Sequence, residues 1–109
     1  MKIEKLVVDE IPVLKLLENF DTLAAYKVQK EINDFIVKRQ SLILDLSALN
    51  FLDSTAIGII VKSTFALAGL NANLAIIPNT KILEMFKFNY LSNLLNIFED
   101  IKSAVDFLK

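Results

Sequence analysis

The chain has 109 residues, of which 54% are hydrophobic and 23% charged, and its net charge is −1. It contains no cysteine and no histidine, which excludes disulfides, thiolate chemistry and any catalytic or metal site built on histidine. The charge balance is unlike the basic surface of a nucleic-acid-binding protein. No apolar run is long enough to cross a bilayer, and the first residues carry too many charges for a signal peptide. We therefore expect residues 1–109 to form one cytoplasmic domain that has no metal or cofactor, does not bind nucleic acid directly and does not insert into a membrane.

Hydrophobic patterning predicts two strands and a helix in the first forty residues. Apolar residues alternate weakly over 2–10 (KIEKLVVDE), and a second apolar run over 11–17 has Pro12 near its start, where a strand tolerates proline. Asp21 or Thr22 is then a candidate N-cap. Beyond it, apolar residues at helical spacing predict an amphipathic helix of about four turns: Ala25, Val28, Ile32, Phe35 and Ile36.

The second half of the chain alternates between strands and helices. The continuous apolar run over 41–47 (SLILDLS) predicts a central strand that is covered on both faces. A helix over 54–70, a strand over 72–77 before Pro78, a helix capped by Thr80 and extending to residue 88, a short strand over 94–98 and a last helix over 100–108 follow. This order predicts an α/β fold with a mixed, partly parallel sheet of four to five strands and about four helices.

Three polar residues, Asp53-Ser54-Thr55, stand at the joint between the central strand and the second helix. In one interpretation Ser54 only caps the helix by accepting a hydrogen bond from a backbone N–H group. In the other, Ser54 is a phosphorylation site at the carboxyl end of a central strand, where open α/β sheets place their sites. A phosphate there would meet free N–H groups at the helix start and add a charge of about −1.5 to −2. Thr55 is the second-choice phosphorylation site.

The second helix also presents a candidate contact surface. At 100° per residue, one face carries the residues that we assign to the core: Ala56, Ile57, Ile60, Val61, Thr64, Leu67 and Ala68. Gly58, Lys62 and Phe65 share the face of Ser54, and Ile59 lies further round, away from that core face. A glycine inside a helix costs about 1 kcal/mol relative to alanine, and at this place it would let a partner's backbone approach closely. Alternatively, another element of the same domain covers this face, and Gly58 clears a tight internal contact.

Asp45 is the one charged residue in the central apolar strand. A catalytic role is conceivable, but buried carboxylates need hydrogen-bond donors, and the backbone of the following loop over 47–53 offers them. We therefore predict that Asp45 supports this loop. The chain has no Gly-rich phosphate loop and offers only carboxylates as general bases, so we expect no enzymatic activity.

The stretch DLSALNFLDSTAIGIIVKS, residues 45–63, resembles the signature of the STAS domain, a family named for sulfate transporters and anti-sigma factor antagonists. The usual signature is a strand ending in Asp-Leu-Ser, a short loop, and Asp-Ser-(Ser/Thr/Ala)-Gly-(Leu/Ile)-Gly at the start of a helix. ENFDTLAAYKVQKEI and the segment from 74 to 108 resemble other parts of the family. Ala56 and Asn19 stand where the family usually has glycine, and segment 87–90 lacks the glycine often found before the last strand. The resemblance implies a small mixed sheet with the helices packed mainly on one side.

The resemblance also implies a function. In anti-sigma factor antagonists the serine that matches Ser54 is phosphorylated by a partner that is both a kinase and an anti-sigma factor, and a serine phosphatase resets the cycle. Only the unphosphorylated antagonist binds that partner and frees the sigma factor. The expected protein is thus a monomeric or weakly dimeric regulator of transcription, with a partner surface of Asp21, Asp53, Ser54, Thr55, Gly58, Ile59, Lys62 and Phe65. The alternative is a STAS adaptor or scaffold subunit of a stress-signalling complex or of a lipid or anion transport system.

Overall fold

The computed structural model describes residues 2–109. In chain order the elements are β1 (Ile3–Val8), β2 (Ile11–Leu16), α1 (Thr22–Val37), β3 (Leu42–Leu46), α2 (Ser54–Ala68), β4 (Leu74–Pro78), α3 (Thr80–Phe88), β5 (Asn96–Ile97) and α4 (Ile101–Leu108). The strands lie side by side in the same order, β1 to β5. β1 and β2 are antiparallel, and the other neighbours are parallel. The predicted mixed α/β sheet is confirmed, with β3 at its centre and all five residues of that strand buried.

The two faces of the sheet have separate hydrophobic cores, because successive side chains of a strand point to opposite faces. On one face Leu44, Leu46 and Ile76 pack with buried residues of α1, α2 and α3. On the other face Ile43 and Ala75 pack with α4, whose buried residues are Ala104 and Val105. Three helices therefore cover one face and the fourth helix covers the other, in agreement with helices packed mainly on one side.

The start of α3 differs from the prediction in its cap. Asn79, not Thr80, is the N-cap: its side chain accepts a hydrogen bond from the Ile82 N–H at 2.8 Å, and Thr80 is the first helical residue. The same amide donates to the carbonyl oxygens of Ser47 at 3.2 Å and Leu49 at 2.5 Å. Asparagine can both accept and donate, whereas a threonine at this place could not bind the two carbonyl groups of the loop as well as cap the helix.

Three helices are followed by a residue that has a left-handed backbone conformation although it is not a glycine. These residues are Arg39 after α1, Asn71 after α2 and Tyr90 after α3, with φ of 55°, 60° and 58°. In each case the next residue donates its N–H to a carbonyl five residues back, at 2.9 Å: Gln40 to Phe35, Ala72 to Leu67 and Leu91 to Phe86. This is the Schellman arrangement, which usually takes glycine. Segment 87–90 thus makes its left-handed turn with Tyr90, at an energetic cost for an L-residue.

Candidate functional site

The starts of α1 and α2 lie side by side at the carboxyl edge of the sheet. The segments before them are joined by an isolated parallel bridge between Phe20 and Leu52. The Phe20 N–H donates to the Phe51 carbonyl at 3.4 Å, and the Asp53 N–H donates to the Phe20 carbonyl at 3.3 Å. Because β2 and β3 are parallel, their following loops meet at the same edge, and these bonds fix the two helix starts relative to each other.

Asp53 is the N-cap of α2. Its Oδ1 accepts a hydrogen bond from the Ala56 N–H at 2.9 Å. Its Oδ2 accepts one from the hydroxyl of Thr22, the first residue of α1, at 2.6 Å. The Thr22 hydroxyl is the main cause, and the Ala56 N–H the second, of a lowered pKa of the Asp53 carboxyl. Asp53 is therefore a fixed anion at neutral pH, and it links the two helices.

Ser54 is the first residue of α2 and is exposed. Its hydroxyl makes no hydrogen bond with any residue that the structure describes. The interpretation that Ser54 only caps the helix is wrong, because the extended backbone and the carboxylate at Asp53 already provide that cap. The neighbouring Thr55 is also exposed. Two hydroxyl groups are thus presented to solvent at the start of this helix.

Gly58, Lys62 and Phe65 are exposed, and they share the helix face of Ser54. Phe65 is 56% exposed, which is high for a large apolar side chain. A Cβ added to Gly58 would meet no atom within 4 Å. The alternative that Gly58 clears a contact within this domain is therefore wrong for the part of the chain described here, and the face is open to a partner.

Ile59 was predicted to lie away from the core, and that prediction is wrong. It is only 9% exposed and belongs to the main hydrophobic cluster. Conversely, Ala68, which the helical wheel assigned to the core, is exposed. The reason is that α2 packs against α1 as well as against the sheet, so its buried arc extends to Ile59 and Ser63. Ile59 is accordingly no longer a candidate for contact with a partner.

In a comparison with protein families, residues 2–104 match the STAS domain. This chain belongs to the STAS domain family. No curated protein sequence is significantly similar to it.

Solved structures share the fold of this STAS domain. A candidate anti-sigma factor antagonist from Thermotoga maritima is 22% identical, over 97% of this chain and 93% of that one, with a TM-score of 0.88. An anti-sigma factor antagonist from Mycobacterium paratuberculosis is 18% identical over 98% and 94% of the two chains, with a TM-score of 0.84. The phosphorylated form of the Bacillus cell fate determinant SpoIIAA is 19% identical over 99% and 100%, with a TM-score of 0.70.

Asp45 and Ala56 lie on the two sides of the loop that connects β3 to α2. Asp45 is 7% exposed, and its Oδ1 accepts a hydrogen bond from the Ser47 N–H at 2.9 Å. It lies where a loop-supporting carboxylate was predicted. Ala56, which replaces a glycine of the family signature, is fully buried inside the helix and has no positive φ. The turn into α2 therefore does not need a glycine at this residue.

The start of α1 confirms Asp21 as one of the two predicted caps, and it adds exposed apolar side chains that the sequence patterns did not reveal. Asp21 caps α1 by accepting from the Ala24 N–H at 3.0 Å, and it lines a small pocket of about 200 Å³ with Leu23 and other residues of this start. Leu23, Tyr26 and Phe51 are all exposed. A helical wheel of α1 places Leu23 and Tyr26 opposite its buried side and could have identified them. Phe51 lies in a loop, where no periodic pattern exists.

Neither a metal centre nor a membrane-spanning helix is found in residues 2–109. No group of three or more aspartate or glutamate side chains there is arranged to hold a metal ion. None of the described helices combines the length and the apolar character that crossing a bilayer requires.

A second pocket, of about 370 Å³, lies between the start of α3 and β5 and is lined by residues such as Asn79, Leu83 and Phe98.

Proposed function

We propose that this STAS domain is an anti-sigma factor antagonist. It binds an anti-sigma factor that has serine kinase activity, and phosphorylation of Ser54 releases it. The observation that carries this proposal is the exposed, unbonded hydroxyl of Ser54 at the first residue of α2, within a matching STAS signature. The existence of a phosphorylated form of SpoIIAA, a protein with the same fold, supports it.

The local geometry suits a modification that does not unfold the domain. Asp53 holds the cap of α2, so a phosphate on Ser54 removes no structural hydrogen bond. The positive end of the helix dipole favours an anion at this place. The phosphate adds about −1.5 to −2 charges beside Asp53. The fold is therefore retained while the charge of the surface changes.

The surface next to Ser54 suits a partly apolar interface. Gly58 allows close backbone approach, and Phe65 offers apolar area to bury. A phosphate at the edge of such a contact weakens it through desolvation and like-charge repulsion. The proposed partner surface comprises Asp21, Asp53, Ser54, Thr55, Gly58, Lys62 and Phe65. A serine phosphatase restores the binding form, and the domain acts in the cytoplasm as a binding protein rather than as an enzyme.

The proposal is tested by incubation with the cognate kinase and ATP, followed by mass spectrometry of peptides. We expect one phosphate, on Ser54, and none on the Ser54→Ala variant. The Thr55→Ala variant is the matched control, because it removes the neighbouring exposed hydroxyl and should be phosphorylated like the wild type. A phosphate on Thr55, or no phosphate, contradicts the site. Equal kinase binding by Ser54→Asp and Ser54→Ala favours the adaptor role instead.

A further inference from the structure

The two edges of the sheet differ in length and in protection. β5 at one edge has two residues, which is too short for extended pairing with another chain. β1 at the other edge has six residues, pairs one-to-one with β2 without a bulge and contains no proline. Leu6 and Val7 on this strand are 41% and 71% exposed. Edge strands are usually protected from pairing by a bulge, a proline or a very short length, and β1 has none of these.

The backbone of β1 presents hydrogen-bonding groups on its outer side, where no strand lies beside it within residues 2–109. The Leu17 N–H donates to the Lys2 carbonyl at 2.9 Å, so these residues form a hydrogen-bonded pair of the antiparallel ladder. Because such pairs alternate along the ladder, every second residue of β1 turns its N–H and C=O groups away from β2. These residues are Ile3, Lys5 and Val7. Pro12, which has no N–H, lies opposite Val7 and agrees with this alternation.

We propose that β1 pairs with β1 of a second copy of this chain, antiparallel about a two-fold axis that passes through Leu6. A two-fold pair of identical strands is closed and uses the same surface on both copies. Its axis must pass through a residue, since an axis between residues would set outward-facing groups opposite inward-facing ones. In the middle of the strand the axis can therefore pass through Glu4, Lys5 or Leu6.

Charge selects Leu6 among these registers. An axis through Glu4 or Lys5 places two like charges directly opposite each other, which is unfavourable. An axis through Leu6 instead places two exposed leucines in a non-hydrogen-bonded pair, where the Cα atoms are only about 4.5 Å apart. Lys5 of each copy then exchanges backbone hydrogen bonds with Val7 of the other copy. This register therefore joins the outward-facing backbone groups and buries the exposed leucine.

The same register brings opposite charges together at both ends of the strand pair. Lys2 of each copy comes opposite Glu10 of the other, and both side chains are exposed. Lys5 is no obstacle, because its ammonium group bonds to Glu31 of α1 at 2.8 Å, over one face of the sheet and not across its edge. The contact is small compared with the roughly 1,200–2,000 Å² of a stable interface. The dimer therefore forms at high concentration, and it depends neither on Ser54 nor on the proposed function.

Single cysteines test this register, because the chain contains none. Under mild oxidation of the full chain, Leu6→Cys should form a disulfide-linked dimer several-fold faster than Val7→Cys or Phe88→Cys. Val7 is the matched control, a neighbouring and more exposed residue that lies off the axis, and Phe88, 83% exposed at the end of α3, measures random collision. Equal rates for the three variants would overturn the proposal.

Replacement of Val7 by proline tests the backbone contact. The Val7 N–H points outward, so Val7→Pro removes no hydrogen bond to β2, and proline is tolerated at such positions of edge strands. Added to Leu6→Cys, it should reduce cross-linking to the rate of Phe88→Cys, with a fold unchanged by circular dichroism. Fast cross-linking of the folded double variant contradicts the pairing.

Charge variants test the pairing in solution without a cross-link. The sedimentation coefficient of the wild type should rise with concentration. Leu6→Lys and Leu6→Glu should each remain monomeric, because the axis sets like charges opposite each other, whereas an equal mixture of the two should associate. The proposal fails if the sedimentation coefficient of the wild type is independent of concentration, or if the mixture stays monomeric.

Discussion

Replacement of Gly58 by alanine separates the demands of the fold from those of partner binding. Gly58 lies inside α2, its φ is not positive, and a Cβ built on it would meet no atom within 4 Å. Nothing in the described chain therefore opposes the substitution. Gly58→Ala should therefore be more stable than the wild type by the full difference in helix propensity between the two residues, because glycine loses more backbone freedom on folding than alanine does.

The expected gain in the free energy of unfolding is about 0.8–1.0 kcal/mol, the difference between glycine and alanine in a helix interior. For a domain of this size it corresponds to a rise in Tm of roughly 3–5 °C. Urea denaturation followed by circular dichroism measures it, and the m-value should not change, since the surface exposed on unfolding is nearly the same. Unchanged or reduced stability of Gly58→Ala would refute the reasoning that this position is unconstrained within the domain.

Gly69→Ala is the control for this experiment. Gly69 is the C-cap of α2 with φ of −64°, and an added Cβ would lie 3.5 Å from the Phe65 carbonyl oxygen, an ordinary contact. The gain in the free energy of unfolding of Gly69→Ala should be smaller, because the position lies at the end of the helix.

If Gly58 allows close approach of a partner, Gly58→Ala should bind the anti-sigma factor more weakly although it is more stable. Unchanged binding would remove Gly58 from the partner surface.

Three further predictions concern stability. Tyr90→Gly should raise the free energy of unfolding by roughly 0.5–1 kcal/mol in urea denaturation, because Tyr90 is 89% exposed and holds a left-handed conformation; a loss would contradict the assigned backbone cost. Ile59→Ala should lower it by roughly 2–4 kcal/mol and Phe65→Ala by less than about 1 kcal/mol; equal effects would contradict the burial of Ile59. The pKa of the Asp53 carboxyl in the folded state is below its ordinary value of 3.8. The carboxylate therefore stabilises the fold fully above pH 3.8, and this stabilisation is lost as the pH falls through the pKa of the folded state. In Asp53→Asn the free energy of unfolding should therefore fall less steeply at acidic pH than in the wild type. An unchanged fall would contradict the hydrogen bond from Thr22.

The order of elements was predictable from the sequence because each element has its own periodicity. The continuous apolar run of β3 indicated a strand buried on both faces, and the structure buries all five of its residues. The position of α4 was not predictable in the same way. An apolar stripe shows that a helix packs, but not on which face of the sheet, and Ala104 and Val105 pack on the face opposite to the other three helices. The strand predicted over 94–98 shortens to Asn96–Ile97, since only these two residues pair with β4.

The site was predictable where it follows from neighbouring residues and unpredictable where it depends on distant ones. The start of α2 at Ser54 and the exposed face of Gly58 and Phe65 follow from local spacing. The bond between Thr22 and Asp53 does not, because it joins residues 31 positions apart and leaves no periodic pattern. Ile59 was misplaced because an isolated helical wheel contains no information about the second helix that widens the buried arc.

The most direct test of the switch is the affinity of the anti-sigma factor for two forms of the full chain. One is the unmodified protein, and the other carries phosphoserine incorporated at residue 54 during synthesis. Isothermal titration calorimetry gives both values of Kd, and circular dichroism checks that both forms share the same fold. We predict that the phosphorylated form binds at least tenfold more weakly, about 1.4 kcal/mol, with an unchanged fold. Equal affinity of the two forms would contradict the proposal that Ser54 is the switch.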